Sequence, residues 1–407
     1  MVKNFLLISI SGPDKPGITQ AVSEVLMHHD CYILDIGQSV IHDNLNLGFL
    51  VRTPLGHKLE DIKSEIFPSL DAFTLKIRFQ EIDEESYTYW VNQQGKPRHI
   101  VTLLSRRATA EHIARVSAVT VRHELNIDKI TRLSGRLPLN RVESSSRSCV
   151  ELSLRGLPID LAKFRSSLLE MSSEMEVDIA YQEDSIFRRN RRVVVFDMDS
   201  TLIESEVIDE LAKEIGFGNE VSKITTAAMR GEIDFKESFK RRLRFLKGLD
   251  ETVLEKVFLR LNLTEGAEDL MSTLKLLGYK TAILSGGFDY FASRIQKKLG
   301  IDYVYANKLE IVNGKVTGNI SGTIVDGDRK ALLLREIADG ENVCLEQVIA
   351  VGDGANDLPM LSIAGLGIAY RAKPLVKANA KQSISKVGLD GILYLMGISD
   401  RDVSRLE

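Results

Sequence analysis

"VVVFDMDSTLIESE", Val193 to Glu206, decides how the second half of the chain folds. Four apolar residues run without alternation into Asp197 and Asp199, then Ser200-Thr201, then Glu204 and Glu206. An unbroken β-branched run of this kind reads as a strand covered on both faces. Strands covered on both faces belong to parallel sheets, and ligands bind outside the carboxyl ends of such strands. Taken alone, two aspartates one residue apart more often mark a solvated acidic turn than a site. The surrounding chain decides between the two.

Beyond the opening strand, residues from Val207 to Leu263 show helical spacing, many charges and no strand signal. Strands resume at KTAILSGG (280–287), around Asn313-Gly314, at EQVIAVGDG (346–354) and at GLGIAY (365–370), with helices between them. Asn-Gly favours a type I′ hairpin turn. Strand–helix alternation predicts an α/β fold with a doubly wound parallel sheet. The helical stretch is then an insertion covering the sheet's carboxyl edge.

Four strand ends in this half are expected to carry polar residues: Asp197, Asp199, Ser200 and Thr201; Ser285-Gly286-Gly287; Asp326, Asp328 and Lys330, leading into a helix; and Asp353, Asn356 and Asp357. A parallel sheet is expected to bring these ends to one crevice. Carboxylates gathered there repel and raise one another's pKa. A hard divalent cation relieves this, and Mg²⁺ typically takes one or two carboxylates with the oxygens of a phosphate. Ser285, the Gly286 amide and Lys330 supply donors for the remaining phosphate oxygens. Each group alone fits a turn, an Asx-rich loop or a surface lysine; their order along the chain is the specific signal.

Those motifs, Asp197-Met198-Asp199-Ser200-Thr201, Ser285-Gly286, Lys330 and Gly352-Asp353-Gly354-Ala355-Asn356-Asp357, resemble the four signatures of the haloacid dehalogenase superfamily. DMDSTLIESEVIDELA, ITTAAMRGEIDFKESFKRRL and ILSGGFDYF are similar to its phosphoserine phosphatase family, over essentially all of 193–395. The resemblance implies Mg²⁺-dependent hydrolysis of O-phospho-L-serine to serine and phosphate through an aspartyl-phosphate, the last step of serine biosynthesis. Asp197 is then the nucleophile and Asp199 the acid and base. One Mg²⁺ per site is held by Asp197, the Asp199 backbone carbonyl and Asp353, with Asp357 bracing the site. Ser285, Gly286, Lys330 and Asn356 contact the substrate at its phosphate end. Glu206 meets the substrate ammonium, Arg242 its carboxylate, and Met229 and Phe235 wall the pocket. Without the resemblance, Glu206 reads as a first-turn helix acid and Arg242, beside Arg241 and Arg244, as part of a solvated face. Two further readings stay open: a related phosphatase acting on another small phosphate, and an amino-acid sensor whose enzyme half has decayed.

The first half repeats one order of elements. FLLISIS, ITQAVSEVLMHHD, CYILDIGQSVIHDNLNLGFLVRT, KLEDIKSEIFPSLDAF and TLKIRFQEI spell βαββαβ, and residues 98–183 spell it again. A duplicated ferredoxin-like α+β unit is expected. The pair resembles tandem ACT modules, which implies an amino-acid effector such as L-serine at the first loop, Gly12, Pro13, Asp14, Lys15, Pro16 and Gly17. The matching loop of the second copy, Ser105 to Thr109, lacks those glycines and prolines, so packing or dimerisation is expected of it, and a homodimer of the whole. The expected boundaries are 1–82 and 98–183 for the modules, 83–97 for a linker, and 184–407 for the phosphatase domain, with the cap over about 206–264. The basic segment FRRNRR, Phe187 to Arg192, is expected to be a solvated connector.

Composition narrows the class. At 407 residues the chain exceeds one compact core. A formal charge of −4 gives no general attraction to nucleic acid or anionic membrane. Cys31, Cys149 and Cys344 are widely separated and form no C-x-x-C pair, which fits a reducing, cytoplasmic setting. No apolar run reaches membrane-spanning length. All seven histidines lie at or before His123, so acid–base chemistry in the second half falls to carboxylates, lysine or tyrosine.

Overall fold

Three sheets carry the chain in the computed structural model, which describes residues 5–54, 58–136, 147–230 and 232–404. The chain divides between Lys96 and Pro97 into two compact units.

The first unit runs β1 (Phe5–Pro13), α1 (Ile18–His28), β2 (Tyr32–Ile41), β3 (Asn44–Arg52), α2 (Leu59–Ser69) and β4 (Lys76–Ile82), with sheet order β2-β3-β1-β4. Period-2 alternation in β1 sends Leu6, Ile8 and Ile10 to the helices, where they meet Val22, Ile62 and Ile66, while Ser9 faces out. Within the stretch expected as a linker, Glu84–Gln94 forms a helix, α3. The Asp83 carboxylate caps it by accepting from the Ser86 amide at 2.6 Å, and Tyr87 stacks on Phe5 at 4.7 Å. Polar composition hid this helix, because one capping acid and one aromatic contact hold it rather than an apolar stripe.

The second unit opens with the same motif: β5 (Arg98–Ser105), α4 (Ala110–Arg122), β6 (Asn126–Arg132), β7 (Ser148–Arg155), α5 (Leu161–Glu174) and β8 (Asp178–Glu183), in the order β6-β7-β5-β8. β5 is buried from His99 to Ser105, unlike β1. Its sheet has helices on one face, while on the other Leu104, Cys149 and Ala180 join the same apolar cluster as Ile384, Leu393 and Tyr394. This module is therefore built into the body of the second half of the chain. The Asp178 carboxylate accepts from the amides of Ser385 (2.8 Å) and Lys386 (2.6 Å), and Gln382 bonds the Tyr181 backbone in both directions.

The basic connector is a correction. Arg188 and Arg191 are 2% and 5% exposed, Arg188 pairing with Glu151 and Arg191 donating to Gln182 Oε1 at 3.0 Å. Buried arginines need such partners, and both lie in the second sheet, out of reach of local reading.

After β9 (Val193–Phe196) come four cap helices, α6 (Val207–Glu214), α7 (Gly218–Met229), α8 (Phe235–Phe245) and α9 (Thr252–Phe258). The rest is α10 (Ala267–Leu276), β10 (Lys280–Phe288), α11 (Asp289–Leu299), β11 (Tyr303–Val312), β12 (Lys315–Ser321), α12 (Gly327–Gly340), β13 (Val348–Gly352), α13 (Leu358–Ile363), β14 (Leu366–Tyr370), α14 (Pro374–Asn379), β15 (Gln382–Ile384), α15 (Ile392–Leu395) and α16 (Asp400–Val403), besides short 3-10 turns. The sheet order is β12-β11-β10-β9-β13-β14-β15, parallel except for the β11–β12 hairpin. Asn313 and Gly314 take φ of 51° and 74° in that turn, the left-handed pair a type I′ hairpin requires.

β9 is the central strand and is fully buried, Val194 and Phe196 facing one apolar cluster and Val193 and Val195 the other. The chain goes from β9 to β10 on one side and later to β13 on the other, so the topological switch point falls at Asp197. The cap leaves and returns beside one antiparallel bridge, Ile203 to Leu263. Among the described residues, no helix is long and apolar enough to cross a membrane.

Candidate active site

Asp197 follows the last residue of β9, and its amide donates to the Val351 carbonyl of β13 at 2.9 Å. Ser200 then takes φ 57°, an uncommon left-handed conformation for a non-glycine residue. That turn reverses the chain, so the Ser200 hydroxyl donates to Glu206 Oε1 at 2.8 Å and the Val207 amide to Asp199 Oδ1 at 3.0 Å. The first motif and the start of the cap are thereby tied into one structure.

β10 is irregular between Leu284 and Phe288, where Ser285-Gly286-Gly287 bulges toward Asp199. The buried Ser285 hydroxyl oxygen accepts from the Gly287 amide at 2.9 Å. A Cβ on Gly287 would fall 2.3 Å from Asp199 Oδ2, so a side chain there would displace that acid.

Asp357 braces the last motif. Its Oδ2 accepts from the amides of Asp353 (3.1 Å) and Gly354 (3.0 Å), and its Oδ1 accepts from Lys330 Nζ at 2.7 Å. Lys330, fully buried near the start of α12, also donates to Asp197 Oδ1 at 2.5 Å. Burial alone would lower the lysine's pKa; Asp197 and Asp357 more than reverse this and leave it raised. An ammonium has three N–H donors, so one remains beyond these two bonds.

Carboxylate oxygens of Asp197, Asp353 and Asp357 lie within 4.8 Å of one another. Both Asp357 oxygens already accept hydrogen bonds, while Asp353 carries none on its side chain among those seen. An all-oxygen set of this kind suits a hard divalent cation. Burial, with the Lys330 ammonium opposing it, pushes Asp197 up to about 7. Asp353 and Asp199 are raised well above the carboxylate range by burial, and then by Glu206 and by neighbouring aspartates. Such mutual repulsion is what a bound cation relieves.

Above these acids a cavity of about 300 Å³ is lined by Asp197, Asp199, Gly286, Asp353 and Asn356 on the core side. Glu206, Arg242, Phe239 and Ile233 line it from the cap. Burial raises the Glu206 pKa and lowers that of Arg242, each drawn back by the other's charge. Arg242, 5% exposed, donates from one terminal nitrogen to Thr225 Oγ1 at 3.1 Å.

Residues 194–362 match the haloacid dehalogenase-like hydrolase family, and residues 4–80 match the ACT domain. The chain is 38% identical to a phosphoserine phosphatase of Streptomyces coelicolor over 98% of its own length and 93% of that protein's. It is 37% identical to a phosphoserine phosphatase of Mycobacterium tuberculosis over 98% and 94% of the two lengths. This chain belongs to the phosphoserine phosphatase family. A crystal structure of a haloacid dehalogenase family hydrolase from Salmonella enterica superposes with a TM-score of 0.61 at 32% identity, covering 74% of this chain and 99% of that one.

For a phosphoserine phosphatase, the site residues read from the sequence assemble unevenly. Asp197, Asp199, Glu206, Arg242, Gly286, Asp353 and Asn356 share the cavity wall, while Ser285, Lys330 and Asp357 lie just behind it. Met229 and Phe235 fall in α7 and α8, and their side chains lie outside the described residues. Asp326 and Asp328 are corrected: neither joins the crevice. Asp326 Oδ1 caps α12 at the Arg329 amide (2.9 Å) and its Oδ2 pairs with cap residue Lys236 at 2.6 Å, while Asp328 is exposed. No strand runs directly into them; β12 ends at Ser321, five residues before Asp326.

Two features escaped the sequence reading. Asn307 in β11 is 1% exposed and donates to the Gly286 carbonyl at 2.8 Å while accepting from the Val325 amide at 2.8 Å. A buried amide in a strand needs such partners, and its place in YVYANKLE was the available signal. Thr225 and Asp209, beside Arg242, left no such trace.

Proposed function

We propose that this chain hydrolyses O-phospho-L-serine to L-serine and phosphate, with the phosphoryl group passing through Asp197. The observation that carries this reading is a single small cavity with acids of the core on one wall and Glu206 and Arg242 of the cap on the other. One acid and one arginine opposite a phosphate position match the ammonium and carboxylate of a free amino acid. A peptide offers neither.

Asp197 attacks phosphorus in line, forming the Asp197–phosphorus bond as the bond to the serine oxygen breaks. Asp199 delivers a proton to that oxygen, and burial, Glu206 and Asp197 shift its pKa upward, the direction an acid needs. The Asp199 carboxylate then takes a proton from the water that attacks phosphorus, and the Asp197–phosphorus bond breaks, releasing phosphate. Ser285, the Gly286 amide, Asn356 and the third Lys330 proton bind phosphoryl oxygens. Asp197, Asp353 and the Asp199 backbone carbonyl would hold Mg²⁺, which when bound supplies charge neutralisation for the phosphoryl group.

In the first module, Gly12 and Gly17 take φ of 152° and 100°, and a Cβ on Gly12 would fall 2.8 Å from the Thr74 carbonyl. This tight glycine loop at the start of α1, Gly12 to Gly17, supports an amino-acid effector site, L-serine being the first to test. Edge strand β2 exposes Tyr32, Ile33, Ile36, Val40 and Ile41, which supports a homodimer formed there. A reducing compartment suits the three unpaired cysteines.

Phosphate release is the test, from O-phospho-L-serine, O-phospho-L-threonine, phosphoethanolamine and a phosphoserine peptide, with Mg²⁺ and with chelator. Mg²⁺-dependent turnover centred on phosphoserine is expected. Preference for phosphoethanolamine or the peptide would refute the roles of Arg242 and Glu206. No turnover of any ester would leave an amino-acid sensor.

A further inference from the structure

Arg242 is held by a relay that crosses three cap helices. Its terminal nitrogen lies 3.1 Å from the Thr225 hydroxyl of α7, and that hydroxyl lies 2.6 Å from Asp209 Oδ1 of α6. Thr225 is 3% exposed. A guanidinium only donates, so the Thr225 oxygen accepts from Arg242 and its single proton points elsewhere. Two acceptors compete for that proton: Asp209 Oδ1 at 2.6 Å and the Val221 carbonyl at 3.1 Å. The carboxylate is closer and charged, so the hydrogen bonds run Arg242 to Thr225 to Asp209.

The opposite side of Arg242 is unsatisfied. Its Nε is buried and has no partner among the described residues. Buried donors of this kind are rare and call for an acceptor. Thr225 and Arg242 both line the cavity that holds Asp197. One edge of the guanidinium is therefore anchored, and its Nε remains for a ligand oxygen.

We infer that Thr225 and Asp209 are positioning residues that hold Arg242 to receive the substrate carboxylate and so set selectivity for an amino-acid phosphate, an inference that rests on the phosphoserine reading above. Neither residue meets the substrate's reacting atoms. The relay restricts a long, flexible side chain to one orientation before substrate arrives, lowering the ordering cost of binding. Its effect belongs to the carboxylate and not to phosphoryl transfer.

The full-length chain carrying Thr225→Val, Thr225→Ser or Asp209→Asn is assayed on O-phospho-L-serine and on phosphoethanolamine, which keeps the ammonium and the phosphate but lacks the carboxylate. Thr225→Val retains the shape and removes the hydroxyl. It is expected to lower the ratio of the two kcat/KM values by about tenfold to a hundredfold, through a higher KM for phosphoserine, as the loss of a charge-assisted anchor requires. Thr225→Ser restores the ratio to within about threefold of wild type, and Asp209→Asn lowers it in the same direction as Thr225→Val. Equal losses on both substrates, or an unchanged ratio, would overturn the inference and leave the relay as a plain cross-link of the cap. Wild-type protein inactive on phosphoserine would instead overturn the functional reading beneath it, a result recognisable before any variant is compared.

Discussion

Lys330 Nζ lies 2.5 Å from Asp197 Oδ1; Asp197 lines the cavity, and Lys330 is shut away from solvent just behind it. The group proposed to attack phosphorus is thus oriented from behind by an ammonium that a second buried acid, Asp357, also holds. Three charges in one dry place are stable only as a set: removing the cation leaves two carboxylates uncompensated.

Lys330→Met should therefore cost about 3–5 kcal/mol of stability as well as activity, the range for breaking a buried ion pair on one side. Thermal melting checks this directly. Adding Asp357→Asn should recover part of the melting temperature by removing one stranded charge, without recovering turnover. A Lys330→Met chain that melts with wild type would mean that water reaches the pair.

Gly287→Ala isolates the placement of Asp199. The new methyl would meet Asp199 Oδ2 at 2.3 Å, and Met198 and the Ser285 hydroxyl at 3.0 Å. The acid is the group able to move, so kcat should fall by about a hundredfold, the usual consequence of a displacement near 1 Å. Circular dichroism and melting should stay close to wild type. Unaltered kcat would remove Asp199 from the proton-transfer role.

Some of this was legible in the sequence because it is local. Val193 to Phe196 form a strand by composition, and the acids after it have nowhere to go but the sheet's carboxyl edge. Asn313-Gly314 turns as that pair must. What was not legible depends on partners far along the chain. Arg188 and Arg191 look solvated until Glu151 and Gln182 arrive beside them. The Gln382 clasp on Tyr181 spans 201 positions, so nothing near residues 98–183 announced that this module shares a core with the phosphatase half. Thr225 and Asp209 lie on different helices from Arg242, and helical periodicity predicts faces, not contacts across them. Lys330 was placed in the site by its motif, but its bond to Asp357 emerged only from the fold.

Arg242→Lys tests geometry against charge. Lysine keeps the positive charge but loses the planar fork that bonds Thr225 on one side and is proposed to take a carboxylate on the other. KM for phosphoserine should rise by at least about tenfold if the proposed bidentate contact is lost. Steady-state kinetics decide it; a KM near wild type would show that charge alone suffices.

His99 is expected to make the second module sensitive to acid. It is buried, with Nδ1 2.8 Å from the Tyr181 hydroxyl and the two rings stacked at 5.3 Å. Burial holds its pKa below the ordinary 6.5, Glu183 working in the opposite direction. The unfolded chain takes up this proton near 6.5 and the folded chain only at lower pH, so between the two values the unfolded state binds more protons. The contribution to stability is therefore complete above about 6.5 and is lost as pH falls through the folded value. His99→Gln keeps a hydrogen-bonding group without a titration in this range. Its urea midpoint should fall less than that of wild type between neutral pH and mildly acidic buffer. Parallel losses in the two proteins would place the acid sensitivity elsewhere in the chain.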